Sequence, residues 1–360
     1  MPRIAVILTI LMLTTQCATA QQLGAFSDYD KRFFIFDDGV FRQVEFQEVR
    51  TFAVGNGCVV YIDNGGSLKA YTNHILYDVS PSVSSFVVTN NLFTFSVGQQ
   101  LYVFEGGNKR LLTAFAGNFQ VGDSVVAYID TNKHYFMFYR NDQTFELEDI
   151  IVDDDMQFWV GDNTVAYLDM HNNLKLICGG ALYDLQNIIG DVEVAAGRNV
   201  IAYVDDSDGA LRIFSNGEVQ VVEQFTPKSF KCGNECVAFV NSTENFRLFA
   251  NNEVIDLSGF APDMYEINRN LLVYSLQGDF FLYTNGIQYK VENYVPNNYS
   301  INGNNLVYIN QNGQLCVFSD GQSEVISYNA SEYLAVGDLV VFNEGLNTPK
   351  IYYKGRIYKK

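Results

Sequence analysis

The chain has 360 residues, of which 41 are Asp or Glu and 23 are Lys or Arg, giving a net charge of −18. That balance repels phosphate backbones and excludes nucleic acid as the expected partner. Charged residues make up only 18% of the chain while Tyr, Asn and Gly abound, so the surface is expected to be polar, uncharged and aromatic.

Residues 1–20 read as an export signal rather than as part of the fold. Arg3 supplies a short positive start, IAVILTILMLTT an apolar core, and ATA the small residues that precede cleavage after Ala20. The apolar run is too short to span a bilayer. Lipidation at Cys17 is a second reading, but Gln16 stands where a lipobox has Gly, Ala or Ser. The mature domain, residues 21–360, is expected to be exported and soluble, in a periplasm or outside the cell, with no transmembrane segment. Its cysteines, Cys58, Cys178, Cys232, Cys236 and Cys316, are too sparse for a disulfide framework. The fold must therefore rest on an apolar core.

From Phe26 onward the chain repeats itself. FQVGDSVVAYID (119–130) returns as FWVGDNTVAYLD (158–169), and the reduced pattern recurs from Phe52, Phe86, Val194, Phe230, Tyr265, Tyr299 and Tyr333 at spacings of roughly 33 to 39 residues. One aromatic keeps its place in every copy: Tyr61, Phe95, Tyr128, Tyr167, Tyr203, Phe239, Tyr274, Tyr308 and Phe342, with Phe26 in a truncated first copy. The residue before it is small or β-branched in the nine full copies, from Val60 and Thr94 to Val341. After this strand come a turn, a short strand such as LRIF (211–214), a two-residue turn and another short strand. Asn216-Gly217, Asn285-Gly286, Asp320-Gly321 and Asp38-Gly39 suit type I′ hairpins, because both residues tolerate positive φ.

Each unit is thus three or four short antiparallel strands, and no helical pattern interrupts them. Both faces of Val126-Ala127-Tyr128-Ile129 are apolar, so this strand is covered on both sides. We expect each sheet to set its aromatic into the hollow left by the small residue of a neighbouring sheet. One such ring contributes at most ~4–5 kcal/mol, so a unit cannot stand alone but a closed stack can. The expected fold is all-β, a β-propeller of about ten short repeats in one ring; two five-unit propellers are the alternative. The repeats resemble those of exported bacterial β-propellers, the broad class with TolB-type and quinoprotein-type blades. The Trp-Asp, Tyr-Trp-Thr-Asp and kelch signatures are missing, and Trp159 is the only Trp. The resemblance therefore implies a fold and little about activity.

Residues that could carry chemistry are few. Asp63, Asp130, Asp169, Asp205, Asn241 and Asn310 end the second strand of their units, where Asp and Asn start turns by bonding local backbone N–H groups. Cys232 and Cys236 flank a three-residue turn and are candidates for a cross-strand disulfide in an oxidising compartment. Asp153, Asp154 and Asp155 lie in the longest connection, a candidate interaction loop; its spacing does not match a calcium loop. His74, His134 and His171 fall in different units, and no nucleophile motif, zinc site or cofactor motif accompanies them. The sequence points to a non-catalytic exported propeller that binds a protein or glycan on one end of its ring. The alternative is a glycan hydrolase or lyase with carboxylates at the central channel.

Overall fold

The computed structural model describes residues 21–149, 156–345 and 348–360. These residues form ten antiparallel sheets and no helix. Blade 1 has three strands, Leu23–Ser27, Phe33–Asp37 and Val40–Glu45. Blade 2 has four, Thr51–Val54, Val59–Ile62, Leu68–Thr72 and Ile75–Ser80, and sets the pattern for the rest. Blades 3 to 9 span residues 85–113, 116–149, 158–187, 192–223, 229–258, 264–292 and 299–327. Blade 10 comprises Ala330–Val336, Leu339–Glu344, Thr348–Tyr353 and Arg356–Lys359.

Local chemistry makes the blades. In all ten, the turn between the last two strands holds two successive residues at positive φ, as at Asn216 (54°) and Gly217 (87°). That is the type I′ backbone whose twist matches paired strands. It extends beyond Asn-Gly to Asn73-His74, Asn141-Asp142 and Asn251-Asn252, residues whose short polar side chains tolerate the left-handed region. A bulge follows at the start of the third strand in blades 1 to 9, for example between Leu211 and Arg212. Bulges add twist and turn the fourth strand toward the next blade.

The core lies between blades, not within them. The ten second-strand aromatics are at most 5% exposed. Tyr167 of blade 5 packs in one cluster with Ala127 of blade 4, Phe239 with Ala202, and Tyr308 with Val273. The other seven interfaces are built alike, down to Phe26 of blade 1 against Val341, Ile351 and Tyr353 of blade 10. This last cluster shuts a single ring of ten, and two five-unit rings are ruled out because blade 5 stacks on blade 6 through Ala166 and Tyr203. Lys360 at the end of the chain pairs with Asp28 in the first turn of blade 1. A Glu at or next to the end of the last strand serves several interfaces: Glu45 accepts from Tyr61 and Lys69, Glu148 from Tyr167 and Lys175, and Glu292 from Tyr308. Blades 5 and 7 place no such Glu there, and the hydroxyls of Tyr203 and Tyr274 have no partner among the described residues.

Candidate functional site

Antiparallel strands send alternate turns to opposite ends of the ring. One end carries the turns after the inner strand and the type I′ turns. The other carries the turns after the second strand and the linkers between blades. We call them the collar end and the linker end.

At the collar end the inner-strand turns touch one another. Gly197 approaches Gly233 so closely that a Cβ would lie 2.2 Å from the Gly233 carbonyl oxygen; Gly161 stands the same way to Gly197, and Gly122 to Gly161. That contact explains the glycine of the repeated Val-Gly pair: a backbone neighbour occupies the side-chain space. Backbone hydrogen bonds run between the same turns, from Ser124 N to Asp162 O (3.0 Å), Arg198 N to Gly233 O (3.1 Å) and Asn234 N to Arg269 O (2.8 Å). Side chains extend the circle: Asn90 donates to Asp123 (2.6 Å), Asn199 to Glu235 (2.8 Å), Arg269 to Asn304 (3.2 Å) and Asn304 to Asp338 (2.8 Å). Gln22, just before the first strand, accepts from Asp338 N (3.2 Å) and joins blade 1 to blade 10. These turns line a polar cavity of about 380 Å³, dominated by asparagines with Arg198 and Arg269. Burial and the neighbouring Asp123 raise the pKa of Asp162, against Arg269 and Arg198.

The linker end is different. One or two residues past the last strand, six of the blades present Phe46, Phe115, Ile189, Phe225, Phe260 and Tyr328 to solvent, with Phe46 84% and Phe225 71% exposed. Three consecutive linkers spell aromatic-x-Pro: Phe225-Thr226-Pro227, Phe260-Ala261-Pro262 and Tyr294-Val295-Pro296. That motif is a sequence signal for Phe225 and Phe260, two of the six exposed residues. Between the linkers sit the turns after the second strand. Asp169 Oδ1 accepts from the backbone N–H of His171 and of Asn173 (both 2.8 Å), and Asp130, Asp205, Asn241 and Asn310 bond their own turns alike. Burial would raise the Asp169 pKa, but bonds from Asn173, His171 and Lys175 outweigh it and hold the pKa at about 2.

The remaining sequence candidates are scattered. Asp153, Asp154 and Asp155 lie outside the described residues, as do residues 1–20 with Cys17. Cys232 and Cys236 do not form the expected disulfide: both are free thiols. The register pairs Cys232 with Val237, so the two side chains leave opposite faces of blade 7. Cys232 Sγ lies 3.2 Å from Ala195 O of blade 6 and Cys236 Sγ 3.9 Å from Arg269 O of blade 8. Burial pushes the Cys236 thiol up to about 11 and that of Cys58 up to about 12, away from nucleophilic use. His74 is exposed at the surface and bonds Asp37 through Nδ1 (2.7 Å), and Tyr71 donates to the same carboxylate (2.6 Å). No helix of the described residues is long and apolar enough to cross a membrane.

The sequence matches the 10-bladed beta propeller domain family over residues 17–358. The chain belongs to this family. No curated protein is recognisably similar to this propeller in sequence. Among solved structures, the computationally designed Ika8 protein shares 12% identity, with 74% of this chain and 94% of that one covered and a TM-score of 0.34. Prp20p from Saccharomyces cerevisiae shares 10%, with 64% and 81% covered and a TM-score of 0.34. PorZ, a surface component of the type-IX secretion system of Porphyromonas gingivalis, shares 10%, with 95% and 59% covered and a TM-score of 0.31. Likeness at this level carries no statement about the propeller's activity.

Proposed function

We propose that this propeller is an exported, non-catalytic binding scaffold that takes a protein partner on its linker end. One observation carries the reading: exposed aromatic and aliphatic side chains recur just past the last strand of six of the ten blades, so they lie at a single end of the ring. An exposed apolar set at one end of a soluble ring marks an interaction surface. Large rings lose little conformational entropy on contact, which makes Phe and Tyr effective anchors. Export rests on the leader-like residues 1–20 and on the resemblance to exported repeats, and N-terminal sequencing of the secreted or periplasmic protein tests it.

The experiment compares wild type with the Phe225→Ser, Phe260→Ser double variant. Both are exposed to proteins of the same compartment by cross-linking and to an array of glycans. The reading expects a protein partner whose affinity falls at least tenfold in the double variant. Unchanged capture would refute it, and glycan binding that depends on the same two rings would reassign the partner.

The hydrolase reading finds its groups at the other end. Asp162, with its raised pKa, stands near Asp123, which lines the polar cavity, an arrangement in which one carboxyl can stay protonated while the other is ionised. Both oxygens of Asp123 already accept from Asn90, however. Glycan cleavage abolished by Asp162→Asn would establish this second function.

A further inference from the structure

The cavity at the collar end is lined from blades 2, 3 and 4 on one side and from blades 6 to 9 on the other, so it lies across the axis of the ring. Carboxylates of the collar are already engaged there: Asp123 accepts from Asn90, Glu235 from Asn199 and Asp338 from Asn304. The cations are not. Elsewhere Arg32, Arg42, Arg110, Arg212 and Arg247 each pair with a carboxylate. Arg198 and Arg269 pair with none among the described residues; Arg269 donates to the Asn304 amide, and the Arg198 guanidinium makes no hydrogen bond to a described residue. The backbone holds both around Asn234, with Arg198 N donating to Gly233 O (3.1 Å) and Asn234 N to Arg269 O (2.8 Å). Arg198, Asn234 and Arg269 thus occupy three successive blades on one arc of the cavity wall. This arc stands across the ring from blade 1, and at the opposite end from Asp149, Met156, Gly345 and Thr348, where the described chain is interrupted.

We propose that this arc binds a sugar acid, whose carboxylate is taken by Arg198 and Arg269 and whose hydroxyls are taken by the asparagine amides. A guanidinium presents a planar fork of donors that matches a carboxylate. An amide side chain both donates and accepts, as a hydroxyl does, and those of Asn91, Asn234 and Asn270 in the lining are bonded to no described residue. The lining holds no aromatic ring and one large apolar residue, Leu271, so an anion that carries a base or an aromatic group finds nothing to stack on. At about 380 Å³ the cavity is at the small end of the roughly 300–1,000 Å³ that small-ligand sites span, which suits a sugar ring or two rather than a long chain. The net charge of −18 opposes an anion at long range. Salt screens that field beyond about 8 Å, so the nearby guanidiniums decide. Asp162, on which both arginines act, is outside the lining. The inference does not rest on the linker-end reading, and it calls for binding rather than cleavage.

Titration calorimetry of the purified protein with galacturonate, glucuronate and galactose tests this, with acetate and inorganic phosphate as plain anions. One of the two sugar acids is expected to bind saturably, at least tenfold more tightly than galactose and than either plain anion. Arg198→Gln removes the guanidinium and leaves the backbone bonds of the collar in place. It is expected to keep the wild-type melting temperature and to weaken sugar-acid binding at least tenfold, with Arg198→Lys recovering only part of the loss. Binding of neither sugar acid overturns the proposal. Galactose binding as tightly overturns the role of the arginines, and acetate or phosphate binding as tightly leaves a plain anion site; either result also sinks it. These comparisons are made on wild-type protein and hold whether or not the variants fold. Unchanged sugar-acid affinity in a folded Arg198→Gln variant removes the ligand from this arc and overturns the proposal too.

Discussion

At the collar end the chain reverses within a few residues, each inner-strand turn leans on the next, and the polar side chains bond one another around the circle. At the linker end the reversals are longer, no backbone hydrogen bond joins neighbouring linkers among the described residues, and Phe46, Phe225, Phe260 and Tyr328 face water. The same ten repeats build both. The difference teaches that the repeat locks successive turns to one another at one end and leaves the other free to carry unsatisfied apolar surface. Where a glycine meets the backbone of the next turn, as at Gly122, Gly161 and Gly197, there is no room for a side chain. A linker of several residues can change its side chains without moving a strand.

The largest expected effect breaks the collar. Gly161→Ala sets a Cβ 2.3 Å from the Gly197 carbonyl oxygen, and we expect a loss of about 3 kcal/mol in chemical denaturation. A loss near zero would mean that the collar turns are loosely held. Carboxylates should then separate the two ends by sign. Asp169, at the linker end, has its pKa held at about 2, below the ordinary value of about 3.9. Its contribution is full above about pH 4 and is lost as pH falls toward 2. Asp162, at the collar, has a raised pKa, so its ionised form opposes folding above the ordinary carboxylate range and protonation relieves it as pH falls. Asp169→Asn should therefore lower the melting temperature at pH 7, and Asp162→Asn should raise it. Both differences should shrink in acid, and melts at pH 7 and pH 3 check them.

A smaller effect sharpens the account of the interfaces. Tyr61→Phe removes the hydroxyl that donates to Glu45 and should cost about 1 kcal/mol. Tyr203→Phe removes a buried hydroxyl without a partner among the described residues and should be neutral or stabilising by up to about 1 kcal/mol. The smallest effect belongs to the linker end: Phe225→Ser with Phe260→Ser should leave stability within about 0.5 kcal/mol of wild type. A larger loss would make those rings part of the core and remove the case for a docking face.

Much of this ring could be read from the chain because its core repeats in register. The aromatic of FQVGDSVVAYID and the small residue before it, Tyr128 and Ala127, are the two halves of adjacent interfaces, and both survive in every full copy. The type I′ turns were legible where Asn-Gly or Asp-Gly marks them and hidden at Asn73-His74 and Asn251-Asn252, where no glycine does. Closure was not legible, since nothing local in Phe26 says that Val341, over three hundred residues away, completes its pocket. The cysteine pair misled for a related reason. Cys232 and Cys236 are close in sequence, but a one-residue offset in pairing sends adjacent positions to opposite faces. The exposed linker residues were missed because the repeat was read through its constant residues, and Phe46, Phe225 and Tyr328 belong to its variable part.

The measurement closest to the central claim is a double-mutant cycle across one blade interface. Ala127→Leu overfills the hollow under Tyr167, and Tyr167→Ala empties it. Each alone should cost about 2–4 kcal/mol. If the ring of blade 5 is seated in the gap of blade 4, the double variant should be more stable than the sum of the two by at least about 1 kcal/mol. Losses that add to within about 0.3 kcal/mol would show that the two residues do not share a pocket, and the wedge between blades would have to be abandoned.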